Sequence, residues 1–281
     1  MSIRITSDST CDLNYLIEER NIGIMALQVN LGSDAFRDGV DITPQKIFDF
    51  VAETGTLPKT AAPSIGEYEE FFERELQGHD ALIHINISAK ASGSHNFAKT
   101  AAESFGGKVF VVDSKALSTG QGLLVMKACD MRDEGKSAEE IVAALEEIRN
   151  RINTSFVPDS LDYLHKGGRV SGMIKTVAGV FKIHPQIVME DGQLVPGKKY
   201  KGKMSVLIKQ YIDDLKEMYP DYDHSRCFVT HSTADAELVE AAKAKVKEVF
   251  QFDEIIETVA GSIVTSHCGQ GTLGVLFVYN K

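Results

Sequence analysis

The stretch SHCGQGTLG, residues 266–274, combines one histidine, His267, with three glycines, Gly269, Gly271 and Gly274. The glycines fit G-x-G-x-x-G, a pattern that lets backbone approach a pyrophosphate at a helix start. That use needs a strand before the loop and a helix after it. Gly274 is instead succeeded by VLFVYNK, a β-branched and aromatic run that reads as a last strand. The nucleotide reading fails on context, and the histidine and glycines need another explanation.

Ligands in open α/β sheets bind beyond the carboxyl ends of the strands, so the other strand-following loops are the next candidates. In AKASGSHNF, after ALIHINIS, Ser92, Gly93 and Ser94 stand where a helix should begin. Free backbone N–H groups and two hydroxyls converge there, as in an anion site or as in an ordinary N-cap eased by glycine; spacing leaves both open. LPKTAAPS (57–64) exposes Thr60 between prolines, while Pro63 and Ser64 open the next helix. TSDSTCD (6–12) brings two aspartates together, for which a capped turn is a simpler reading than a metal site.

Ser92 as nucleophile and His267 as base would make an acyl hydrolase or acyltransferase. The sequence has no G-x-S-x-G elbow and no identifiable residue to orient His267. No H-E-x-x-H or similar metal spacing occurs among the eight histidines. STGQG (118–122) lacks the Gly-Lys-Ser/Thr of a phosphate-binding P-loop.

The elements that must position these loops alternate over the first 150 residues. IRITS (3–7), GIMALQV (23–29), ALIHINIS (81–88) and KVFVVD (108–113) read as strands, and the charged segment before residue 23 as a helix. Helices are expected over 118–134 and 137–151, the second opened by a Ser137/Glu140 capping box. Such alternation implies a parallel sheet covered on both faces. After TSFVPDS come two helical stretches, and then Asp191-Gly192 marks a hairpin. A helix from Met204 to Leu215, the strand RCFVTHS, a helix over 234–249, EIIETV and the terminal strand complete the chain. The expected fold is α/β: an N-terminal parallel-sheet domain (1–150) and a C-terminal domain (151–281) with a mixed or antiparallel sheet and helices.

At 281 residues either one domain or two can bury a sizeable core. The formal charge of −10 argues against general nucleic-acid binding. MSIRITSDST lacks the apolar core of a signal peptide, and no run approaches the ~20 apolar residues of a membrane helix. Cys11, Cys129, Cys227 and Cys268 are scattered without zinc-type spacing, as in a reduced cytoplasmic protein.

Several of these loops, in this order, resemble the DegV family of bacterial fatty-acid-binding proteins. The matching stretches are ITSDSTCDL, FRDGVDIT, PKTAAPS, SAKASGS, VVDSKALSTGQG, LDYLHKGGRVSG, DGQLVPGKK and GSIVTSHCGQGTLGV, which run from residue 5 to residue 275 within a resemblance over about 3–280. The resemblance implies a two-domain α/β protein that binds one long-chain fatty acid in a tunnel in the second domain, opening at the domain junction. By motif, Thr60, Ser92 and His267 would hold the carboxylate, with Gly93, Ser94 and Gly269 supporting them. It also implies a carrier without catalytic residues, metal or cofactor, which presents the acid to a separate ATP-binding fatty-acid kinase subunit. The acyl phosphate would feed phospholipid synthesis. The hydrolase using Ser92 and His267 is the competing reading.

Within that frame MIKTVAGVFKI (173–183) places Met173, Ile174, Val177, Val180 and Phe181 on one helical face, a candidate tunnel lining. Residues 165–203 hold eight lysines and arginines against two acids, a net +6 in an acidic chain. Arg169, Lys199 and Lys201 are therefore candidates for docking the kinase subunit or, transiently, an anionic membrane surface. Two departures from the family pattern stand out. Ala61 and Ala62 follow Thr60 where polar residues are frequent, and Tyr200 stands among lysines where an arginine is common.

Overall fold

The structure is a computed structural model in which residues 2–170 and 183–280 are described. It begins with β1 (Ile3–Asp8), α1 (Leu16–Glu19), β2 (Gly23–Met25), β3 (Gln28–Leu31), β4 (Asp34–Arg37), α2 (Pro44–Thr54) and β5 (Lys59–Ala61). It continues through α3 (Ile65–Glu75), β6 (Ala81–Asn86), α4 (Ser94–Ala102), β7 (Val109–Asp113), α5 (Thr119–Asp133) and α6 (Ala138–Ile148). β8 (Ile152–Asn153), β9 (Ser155–Val157), α7 (Asp162–Gly167), β10 (Ile183–Glu190) and β11 (Gln193–Lys201) come next. The last elements are α8 (Met204–Met218), β12 (Tyr222–His231), α9 (Ala236–Val249), β13 (Glu254–Val259), α10 (Ser262–Cys268) and β14 (Leu273–Tyr279).

The N-terminal part contains a parallel sheet in the order β2-β1-β6-β7. All of β6 is buried, as expected for a central strand with both faces covered. The C-terminal part is built on a mixed sheet, β11-β10-β9-β14-β12-β13, with β8 also on β14. Its parallel pair is β12–β13, whereas β12 and β9 run antiparallel to β14. One core joins Ile5, Ile83 and Leu124 to Phe228 and Leu276, so α5 packs against strands of both large sheets.

That position explains the STGQG motif. α5 is buried continuously from Thr119 to Met126, and a helix enclosed on every side must let its neighbours come close. A Cβ on Gly122 would stand 2.8 Å from the Cys11 carbonyl oxygen, and one on Gly120 would collide with the Thr154 side chain. Gln121 donates to Ser7, Asp8 and the Ile85 carbonyl and accepts from Thr10, which fastens α5 to the ends of β1 and β6. The glycines serve packing, not phosphate.

Several local expectations hold. The Ser137/Glu140 capping box is formed, and Ser64 with Glu67 makes a second one at the start of α3. Asp191 and Gly192, with φ of 44° and 80°, form the two-residue turn between β10 and β11. Asp8 accepts from the Thr10 N–H, so SDST is a capped turn.

Other expectations need correction. GIMALQV is two strands: Gly23–Met25 pairs with β1, whereas Gln28–Leu31 belongs to a small antiparallel sheet, β4-β3-β5. The charged segment before it forms only the short α1, flanked by Asp12, Asn14 and Asn21 at positive φ, which interrupt a longer helix. Thr60 lies in β5, not in a loop, and His267 in the last turn of α10, not in the glycine run after it. The candidate tunnel residues Met173, Ile174, Val177, Val180 and Phe181 lie outside the described residues.

Candidate functional site

Thr60 and His267 reach each other through two separate devices. β5 pairs antiparallel with β3, setting Thr60 opposite Val29. α10 is anchored at its start by two carboxylates from distant loops. Asp12 accepts from the Gly261 N–H at 2.8 Å and Asp38 from the Ser262 N–H at 2.7 Å. Both acids are buried, and burial raises both carboxyl pKa values above the ordinary range. Carboxyl oxygens at these N–H groups satisfy donors that the helix itself leaves unpaired.

The far end of α10 presents His267, whose Nε2 lies 2.9 Å from Thr60 Oγ1. Burial, with the nearby Arg169 cation, pushes the imidazole pKa down to about 4, so the ring is neutral at pH 7. Among the described residues its Nδ1 is buried without a hydrogen-bond partner. The close neighbour there is Gly167, where a Cβ would stand 2.9 Å from Nδ1. A neutral imidazole beside a hydroxyl can either donate or accept, depending on which nitrogen holds the proton.

Ser92 lies just beyond β6. The Ser88 carbonyl accepts from the N–H groups of Ala91 and Ser92 at 2.9 and 3.1 Å, and Ser92 Oγ accepts from the Ser94 N–H at 3.2 Å. Ser92 Oγ thus holds the first N–H of α4, whose N-cap position is Gly93, and its hydroxyl proton is free of that contact. Asp8 steadies the same loop by accepting from the Ile87 N–H at 2.8 Å.

Thr60, Ser92 and His267 all line one cavity of about 280 Å³, together with Gly93, Ala62 and Arg169. Among the described residues the rest of its wall is apolar, including Leu27, Ile87, Leu117, Leu194 and Val264. The cavity therefore has hydroxyl, imidazole and guanidinium groups beside a hydrocarbon wall. A void of about 30 Å³ continues behind Leu117, Val264 and Cys268. A larger groove, about 770 Å³, lies elsewhere and holds the Arg20–Asp130–Arg226 ion pairs. Its charged, mutually paired lining suits an acyl chain less well than the smaller cavity does.

The other candidates take different places. Ser94 is buried, with its hydroxyl bonded to Tyr68 and Asn86, and is not part of the cavity wall. Gly269 is also off the wall. It ends α10 at φ 77°, and a Cβ there would meet the Tyr163 ring at 2.8 Å. Arg169, singled out only for its charge, lines the cavity. Among the described residues no hydrogen bond joins Ser92 to His267, whose partner is Thr60. The side chain of Tyr200 is buried and donates to Asp214 at 2.8 Å, so it offers nothing outward. Lys199 and Lys201 flank it on the exposed face of β11, an edge strand of the mixed sheet. Lysines on an edge strand also discourage pairing with other chains.

Asp12 and Asp38, which set the helix that presents His267, were not identifiable as site residues from sequence. Both lie in the stretches TSDSTCD and FRDGVDIT, but nothing in their spacing points to residues 261 and 262.

Comparisons with known proteins add a family to this geometry. The family model described as "Uncharacterised protein, DegV family" matches residues 2–280. A DegV domain-containing protein of Caldanaerobacter subterraneus is 32% identical over 277 residues, 98% of each chain. A Thermotoga maritima protein described as a fatty acid-binding protein is 30% identical, over 98% of this chain and 96% of that one. Among solved structures, a DegV family protein from Thermus thermophilus, described for its fatty acid binding, superposes with a TM-score of 0.93. It is 28% identical and covers 100% of both chains.

Proposed function

The chain belongs to the DegV family, and from that membership we propose that it binds a long-chain fatty acid in the cavity between Thr60, Ser92 and His267. The carboxylate sits among these three side chains and the tail runs along the apolar wall. The observation behind this reading is that one cavity collects all three polar groups, with Arg169, beside a wall that is otherwise hydrocarbon among the described residues. The fatty-acid binding described for the Thermotoga and Thermus relatives supports it.

Magnitudes set the division of labour. Each buried CH₂ contributes ~0.8 kcal/mol, so a tail of about fifteen gives a gross ~12 kcal/mol before ordering costs. A hydrogen bond to a charged group contributes ~1.5–3 kcal/mol. The tail supplies affinity and the head-group residues supply orientation. Donors for the carboxylate are the hydroxyls of Thr60 and Ser92 and whichever His267 nitrogen bears the proton. Arg169 adds a positive potential at the same wall.

Orientation matters because the protein is proposed to be a cytoplasmic carrier that hands the acid to a separate ATP-dependent kinase subunit. A neutral imidazole and two hydroxyls leave a carboxylate oxygen able to attack a phosphoryl group. The outward lysines 199 and 201 would dock that subunit or, transiently, an anionic membrane. Loading delipidated protein with palmitate and supplying a fatty-acid kinase with ATP tests the whole scheme. Acyl phosphate formation that persists after charge reversal at Lys199 and Lys201 would remove them from docking. A hydrolase reading would require Ser92 to accumulate an acyl adduct, and among the described residues His267 is bonded to Thr60 rather than to Ser92.

A further inference from the structure

Two walls of the cavity are tied together at one point outside it. The loop after β6 contributes Ile87, Ala91 and Ser92 to the lining, and the β10–β11 hairpin contributes Leu194. The tip of that hairpin is bound to the same loop. Ser88 Oγ donates to the Gly192 carbonyl at 2.7 Å, and the contact is buried. Asp191 receives Lys90 on one oxygen at 2.6 Å and Lys115 on the other at 2.9 Å. Two cations on one carboxylate hold its pKa down to about 2, so the charge persists at any physiological pH.

Ser88 links this junction to the head group. Its side chain grips the hairpin, and its carbonyl accepts from the Ala91 and Ser92 N–H groups. The hairpin tip is close-fitted there as well, since a Cβ on Gly192 would stand 2.6 Å from Ser88 Oγ. A displacement of the hairpin therefore moves the support of Ser92 and the hydrocarbon wall at Leu194 together.

We propose that Ser88, with the Asp191–Lys90–Lys115 triplet, is a latch that positions the Ser92 loop against the hairpin and sets how fast a bound acid leaves. The inference rests on the fatty-acid reading above. Lys90, Lys115 and Asp191 are 46%, 28% and 68% exposed, so each ion pair is weak and screened by salt. Weakness suits a latch, because a clasp that must open for each ligand cannot be a permanent strut. Ser88 and Asp191 are positioning residues; neither lines the cavity.

The test uses the delipidated full chain loaded with cis-parinarate, a fluorescent fatty acid, and release is timed by stopped flow after excess palmitate is added. Asp191→Asn removes the charge yet keeps an Asn-Gly turn, which favours the same hairpin geometry. Its release should be about three-fold faster with an unchanged melting temperature. Rising salt should speed release from the native protein and leave D191N unaffected, a response that a purely structural turn residue would not give. Ser88→Ala should speed release on the order of ten-fold and shift the carboxyl resonance of bound [1-¹³C]palmitate. Native-like release and salt response in D191N, with binding intact, would overturn the latch alone. Native protein that takes up neither acid would overturn the latch together with the fatty-acid reading.

Discussion

Thr60 and His267 stand 207 positions apart in the chain, yet Thr60 Oγ1 and His267 Nε2 are 2.9 Å apart. One is in a short strand of the small antiparallel sheet, the other in the last turn of α10. If this pair orients a carboxylate, Thr60→Val should weaken palmitate binding about ten-fold, the effect of one lost hydrogen bond. The fold should survive, because valine preserves the shape at a strand position. Titration calorimetry on delipidated protein gives the answer, and native affinity in T60V would remove Thr60 from the site.

Phosphoryl transfer should suffer more than binding when the head-group side chains are truncated. On the proposed reading the tail would hold the acid in place, whereas transfer to it would need the oxygen in line with the phosphoryl group. Ser92→Ala should therefore reduce acyl phosphate formation by a larger factor than it reduces affinity. An S92A protein turned over at the full rate would show that Ser92 does not position the acid.

The imidazole makes stability depend on pH in a defined direction. His267 titrates near 4 in the folded chain against an ordinary value of 6.5. Between these values the unfolded chain binds a proton that the folded chain does not, so stability is lost as pH falls through that window. The full effect is about 3 kcal/mol. The raised pKa values of Asp12 and Asp38 act in the opposite sense, since those acids hold protons more readily in the folded chain. The clean comparison is native protein against His267→Gln by urea unfolding at pH 7 and pH 4.5. The variant should lose less stability on acidification; parallel losses would refute a neutral His267.

Asp38 accepts from the Ser262 N–H and starts the helix that presents His267. Asp38→Ala should cost about 1 kcal/mol, the usual effect of a lost cap, and should also weaken palmitate binding. A lower melting temperature with native affinity would confine Asp38 to stability.

Gly122 lies against the Cys11 carbonyl, with a Cβ position only 2.8 Å from that oxygen. Gly122→Ala forces α5 away from the turn after β1 and should destabilise the protein by about 1–3 kcal/mol. An unaltered denaturation midpoint would mean that the helix adjusts without loss.

The alternating fold was legible because buried parallel strands and capped helices are local signals. IRITS, ALIHINIS and KVFVVD each bear their pattern within a few residues, and Ser137 caps a helix three residues from Glu140. The break within GIMALQV was not legible, since pairing partners β1 and β4, not composition, divide the run. At the site, the identities of Thr60, Ser92 and His267 came from the order of eight short motifs. Spacing alone left Ser92 between an anion site and a cap, and the structure has it just before the Gly93 N-cap, its Oγ accepting from the Ser94 N–H, while it lines the cavity. Asp12 and Asp38 were invisible as supports because the N–H groups they hold lie more than 220 residues away.

Native mass spectrometry of the purified protein, with extraction and identification of any bound lipid, tests the central claim most directly. The expected result is one long-chain fatty acid per chain, exchangeable for added oleate and retained poorly by a protein carrying T60V, S92A and H267A together. Extracts without fatty acid, and no mass shift on adding palmitate or oleate to the intact protein, would contradict it.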